Sequence, residues 1–130
     1  MIEREPDGAT GRRAPAAPGY PDPMPAGPVD HVGGPIAWRE CGDGPPVLVL
    51  HGLGGSRLAW EPQLEGLSHG FRCIAWDVPG YGASAPLPVM TFPAIADAAA
   101  RLLDLLGIEQ VDVVGLSFGG QQALHLALEH

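Results

Sequence analysis

The run Val111-Asp112-Val113-Val114-Gly115-Leu116-Ser117-Phe118-Gly119-Gly120 decides how the rest of the chain is read. Val111–Gly115 carries three β-branched valines around Asp112 and reads as a buried-type strand. Phe118–Glu129 carries Ala123, Leu124, Ala127 and Leu128 as a helical stripe. Between strand and helix stands G-x-S-x-G. A serine at such a corner sits in a strained backbone conformation with its Oγ exposed at the sheet's edge. Gly115 and Gly119 let neighbouring backbone approach where a Cβ would clash. Gly120 adds another small residue in the first turn. The helix N-terminus offers free N–H groups and a positive dipole end to a developing anion. By itself, G-x-S-x-G also fits a plain turn in which the serine caps the helix.

Upstream, the same grammar repeats. Val47-Leu48-Val49-Leu50 is a continuous apolar run bounded by Pro and followed by Gly, which fits a strand buried on both faces. The loop His51-Gly52-Leu53-Gly54-Gly55-Ser56 follows it directly. Cys73-Ile74-Ala75-Trp76 is a second such strand, and Asp77-Val78-Pro79-Gly80-Tyr81-Gly82-Ala83-Ser84 follows that. Arg57–Leu67 reads as a helix capped by Ser56, with Pro62 in accord only if the helix starts near Glu61. Residues 93–106 form a stronger helix, with Pro93 in its first turn and Gly107 as its stop. Two weaker strands, Val29–Val32 and Ile36–Cys41, precede these elements. Strand and helix alternate, which predicts an α/β fold with a parallel sheet, right-handed crossovers and helices on its faces. In such sheets, sites collect at the carboxyl ends of strands. The unusual residues at 51–55, 77–84 and 115–120 all meet that rule. A phosphate loop is excluded at 51–56, because its fingerprint needs a Lys and the chain has none.

Together the three loops resemble the α/β-hydrolase family, over about residues 29–130. They are similar to its H-G-x-x-G loop after the third strand, its D-x-P-G-x-G-x-S loop after the fourth and its nucleophile elbow after the fifth. The resemblance implies a parallel-sheet α/β-hydrolase fold with Ser117 as nucleophile. It implies an oxyanion hole made by the backbone N–H groups of Phe118 and Leu53. His51, Gly52, Gly115, Gly119 and Gly120 would support the motif, with His51 shaping the loop and not serving as base. Relatives that open epoxides carry Asp at the elbow. Ser117 therefore implies acyl transfer to water from an ester, lactone or similar small-molecule substrate, with no cofactor and no metal.

Composition limits the alternatives. Lys and Arg number 7, all of them Arg, against 15 Asp and Glu, for a net charge of −8. No basic cluster is present to neutralise phosphates, so neither nucleic acid nor an anionic membrane is an expected partner. No run approaches the ~20 apolar residues needed to span a bilayer. Met1-Ile2-Glu3-Arg4-Glu5-Pro6 leads into no apolar segment, which predicts a cytoplasmic setting. Cys41 and Cys73 lack metal-site spacing and read as two reduced, partly buried thiols. Much of the Gly and Pro content falls before residue 36. Residues 1–28 are expected to be a disordered tail, and residues 29–130 the N-terminal part of a hydrolase domain.

The family's triad runs Ser, then Asp or Glu, then His along the chain. After Ser117 only His125, Glu129 and His130 are ionisable. His125 lies eight residues along the helix, about 12 Å from the elbow at 1.5 Å per residue. The expectation is a fold truncated after the helix that follows the elbow, with acid and base missing and no activity by itself. The alternative is a truncated, inactive hydrolase-like binding protein.

Overall fold

The computed structural model describes residues 27–130. Of the expected tail, residues 1–26 lie outside the described residues. The described strands are β1 (Val29–His31), β2 (Trp38–Cys41), β3 (Pro46–Leu50), β4 (Arg72–Trp76) and β5 (Asp112–Gly115). The helices are α1 (Glu61–Leu67), α2 (Phe92–Leu105) and α3 (Phe118–Glu129).

The strands form one sheet in the order β1-β2-β4-β3-β5. β3 is parallel to β4, with Leu48 opposite Ile74, and parallel to β5, with Leu50 opposite Gly115. The expected parallel sheet is thus present in these three strands. β1 and β2 add an antiparallel edge, β2 pairing with β4, so the sheet is mixed. The reason is connection length. A parallel crossover needs a dozen or more residues, and residues 42–45 between β2 and β3 can only turn the chain back.

The helices start where local chemistry directs. Ser56 Oγ accepts from the Leu58 N–H at 3.2 Å, but it caps a 3₁₀ turn, Arg57–Trp60. The α-helix proper begins at Glu61, which puts Pro62 in the first turn, where its missing N–H costs nothing. Thr91 caps α2 by accepting from the Ala94 N–H at 3.2 Å, and Gly107 follows its end at φ +67.

Alternate residues of β3 and β4 feed two core layers. Leu48, Leu50, Ile74 and Trp76 pack with Ile95, Ala99 and Leu102 of α2 and Leu126 of α3. Val47, Val49, Cys73 and Ala75 pack on the other face with Leu64 of α1. β5 pairs with β3 alone among the described residues and so forms an edge of the sheet, with Val114 48% exposed. No helix among the described residues is long and apolar enough to cross a membrane.

Candidate active site

The carboxyl ends of β3, β4 and β5 bring the three loops to one edge of the sheet. The Leu116 N–H donates to Leu50 O at 3.1 Å and carries the β3–β5 pairing into the elbow. Gly52 lies directly beside it. A Cβ on Gly52 would stand 3.4 Å from Leu116 O and 3.7 Å from Ser117 Cβ.

Ser117 has φ 55 and ψ −114, and it is the only non-glycine residue at positive φ among those described. That conformation is costly for a residue with a Cβ. The close approach around it explains why it holds. A Cβ on Gly119 would strike Leu50 O, and one on Gly115 would strike Gly119 O. α3 can therefore start only where glycines let it press against β3 and β5. Gly120 differs from these two. Its nearest neighbour, Gly115 O, would lie 3.5 Å from an added Cβ, in ordinary contact.

The cap interpretation of Ser117 fails on geometry. Its side chain makes no capping hydrogen bond to α3. Its carbonyl closes the turn instead, accepting from Gly120 N–H at 2.8 Å and Gln121 N–H at 3.3 Å. Ser117 is exposed, and its Oγ is engaged by no group among the described residues. The backbone N–H groups of Phe118 and Leu53 likewise donate to no acceptor among those residues. Leu53 is 72% exposed. The corner thus offers a hydroxyl and unengaged amide donors on loops that touch each other.

His51 is the opposite case. It is 1% exposed. Its Nε2 accepts from the Val78 N–H at 3.1 Å. A backbone amide can only donate, so Nε2 carries no proton, and Nδ1–H is left to donate to Gly52 O at 2.8 Å. Both ring nitrogens hold loops in place, and the Tyr81 ring covers the imidazole at 5.6 Å. The other histidines with assigned contacts are engaged elsewhere. His125 stacks on Phe92 and contacts Glu129 at 3.0 Å, His130 contacts Asp97 at 2.8 Å, and His31 contacts Glu40 at 2.9 Å.

The loop after β4 is tied inward. Asp77 is fully buried. Its carboxylate accepts from the Arg57 N–H at 2.6 Å, the Arg57 guanidinium at 2.7 Å and the Ala83 N–H at 2.8 Å. Burial works against the Arg57 charge, yet Asp30 and Asp77 together hold its pKa above the usual value. Ser84 Oγ accepts from the Ala37 N–H at 2.8 Å and donates to Asp77 O at 2.7 Å, clasping β2's approach to β4's end. Sequence reasoning did not pick out Arg57 or Asp30. They stand 20 and 47 positions from Asp77, and no local pattern announces the pairing. A cavity of about 850 Å³ lies between Ile36, Trp38, Pro79, Leu87, Leu102 and Leu105. None of Ser117, Phe118 and Leu53 lines it, and its polar lining is Asp30, His31 and Arg101.

Comparison with known proteins agrees with this layout. Residues 45–130 match the family model described as alpha/beta hydrolase fold. A putative carbamate hydrolase RutD of Caulobacter vibrioides is 39% identical over 100 residues, covering 75% of this chain and 35% of the relative. A pimeloyl-[acyl-carrier protein] methyl ester esterase of Vibrio vulnificus is 39% identical over 95 residues, covering 73% and 36%. Among solved structures, the N-acyl homoserine lactonase AidH with N-butanoyl homoserine superposes with TM-score 0.68 at 35% identity, covering 72% of this chain and 36% of that one. An epoxide hydrolase from an endophytic Streptomyces superposes with TM-score 0.73 at 33% identity, covering 79% and 34%. The chain spans about a third of the length of these relatives.

Proposed function

Because the chain belongs to the alpha/beta hydrolase fold family, we propose that it carries the nucleophile half of a serine hydrolase acting on an ester, lactone or similar acyl bond. One observation carries the reading. Ser117 is held at a strained corner with its Oγ unengaged, beside the unengaged amides of Phe118 and Leu53. In the proposed reaction Ser117 Oγ attacks the acyl carbon and loses its proton to a base. The carbonyl electrons move onto oxygen, and the Phe118 and Leu53 amides stabilise that oxyanion. Collapse expels the alcohol or equivalent leaving group and leaves an ester on Ser117, which water hydrolyses. The His51 nitrogens are committed to Val78 and Gly52, so His51 is assigned to shaping the loop. Base and acid are assigned to residues outside 27–130, and turnover is expected only from a protein that carries them.

The hydroxyl selects the bond. Attack by an alkoxide on an epoxide would form an ether, which water does not cleave. Attack on an acyl carbon forms an ester, which water does cleave. This separates the chain from its epoxide-hydrolase neighbour. It sides with the relatives named for a carbamate, a methyl ester and a lactone, each of which presents an acyl carbon with a heteroatom leaving group. The expected partner is a small acyl compound, with no cofactor, no nucleic acid and no membrane.

The test uses protein expressed from the complete reading frame. A fluorophosphonate probe should label a peptide containing Ser117, and Ser117→Ala should lose both the label and the hydrolysis of p-nitrophenyl esters. Wild-type turnover in Ser117→Ala would overturn the assignment.

A further inference from the structure

Cys41 and Cys73 stand directly opposite each other across the antiparallel β2–β4 pair. Both are buried, at 5% and 0% exposure, and both face the layer that packs on α1. Neither is in a disulfide. The Asp77 N–H donates to Ala37 O at 2.9 Å, which marks that pair as hydrogen-bonded. Hydrogen-bonded pairs recur every second residue along an antiparallel ladder. Arg39–Ala75 and Cys41–Cys73 therefore fall in the same class. Such pairs hold their Cα atoms about 5.5 Å apart, inside the roughly 4.4–6.8 Å that a disulfide accepts. Their Cβ atoms start up to about 5.5 Å apart, and the bond needs roughly 3.5–4.5 Å. The strands must close slightly, which makes the bond strained and easily reduced.

We infer that Cys41 and Cys73 form a reversible cross-strand disulfide when the protein meets a small-molecule disulfide such as oxidised glutathione. Cys41 is the entry point, because it lines a cleft of about 470 Å³ at the β1–β2 edge. Burial, with Cys41 beside it, pushes the Cys73 thiol up to about 11, so Cys73 is the poorer attacker. The Cys41 thiolate attacks glutathione disulfide, which breaks that S–S bond, forms a mixed disulfide and releases one glutathione thiolate. Cys73 then gives up its proton and attacks Cys41 Sγ, releasing the second glutathione. Two protein thiols are oxidised and one glutathione disulfide is reduced. The bridge closes a loop that contains β3, the His51–Ser56 loop and α1. It therefore staples β2 of the edge to β4, the strand paired with the β3 that leads into the Leu53 loop.

The proposal stands independently of the chemistry at Ser117. The folded chain would be incubated with oxidised glutathione, quenched with an alkylating agent and mapped by mass spectrometry. The expected product is a linked Cys41–Cys73 peptide pair, with a loss of two hydrogens from the intact mass. The oxidised protein should melt about 5–10 °C higher than the reduced one and revert within minutes in dithiothreitol. Cys41→Ser and Cys73→Ser should each abolish the link and the shift. Should either variant fail to fold, wild-type mapping decides alone. Two alkylated thiols, mixed disulfides only, or bridges between separate chains would each overturn the proposal.

Discussion

The chain leaves two parallel strands through loops that look alike in sequence and behave oppositely in chemistry. After β4, Asp77–Ser84 is rich in Gly and polar groups, and its carboxylate and hydroxyl point inward. Asp77 accepts three hydrogen bonds at full burial, and Ser84 bridges Ala37 and Asp77. After β5, Gly115–Gly119 has as many glycines, yet Ser117 Oγ and the Phe118 amide are engaged by nothing among the described residues. The first loop holds the sheet edge together. The second leaves its hydroxyl and amide unengaged at the cost of backbone strain. A polar residue in a Gly-rich loop is therefore not itself a functional sign. What matters is whether its hydrogen-bonding capacity has already been satisfied.

The comparison can be broken most forcefully at Asp77. Asp77→Ala would leave the partly buried Arg57 guanidinium with Asp30 as its remaining carboxylate and would strand two amide donors. The expected loss is about 3–5 kcal/mol in urea unfolding. A loss below about 1 kcal/mol, as for an exposed ion pair, would mean that the two loops do not differ in this way.

A smaller effect should come from the α1-side layer, away from both junctions. The folded state holds the Cys73 thiol at about 11, above its ordinary 9.0, by burial beside Cys41. Folding therefore favours the neutral thiol. The contribution is complete below the unfolded value and disappears as pH rises through about 11. Under reductant, the urea midpoint should fall over that interval, and equally in wild type and in Ser117→Gly. A different alkaline limb in the variant would show that the elbow and the α1-side layer are coupled.

The smallest effect has the opposite sign. Ser117→Gly removes the Cβ from a positive-φ position, relieving strain of about 1–3 kcal/mol. It adds roughly 0.5–1 kcal/mol of unfolded-chain freedom. The net expectation is a gain of about 1 kcal/mol in stability together with loss of fluorophosphonate labelling. A destabilised variant would remove the claim that the elbow stores strain.

Much of this layout was legible in the chain. The apolar runs at Val47–Leu50 and Cys73–Trp76 gave two buried strands, because continuous apolar residues bury both faces. The G-x-S-x-G corner located Ser117, and Pro62 correctly moved the start of α1 to Glu61. Gly115 and Gly119 have the close backbone contacts that their spacing suggested, whereas Gly120 has room to spare. The antiparallel edge was missed, because strand direction depends on connection length and pairing, not on composition. β5 carries a charged residue, Asp112, that β3 lacks, and its alternating exposure follows from its place at the edge of the sheet.

The sequence by itself determined the alternation of strand and helix, the glycine-framed serine and the loops at strand ends. These are local properties, set by periodicity and by the conformations that Gly and Pro permit. Only the tertiary structure decided which polar groups stay available. Asp77 and Arg57, Ser84 and Ala37, and Cys41 and Cys73 are each separated by 20 or more positions. Hydrogen bonds and buried thiol pairs depend on distance in space, and the packed sheet sets that distance.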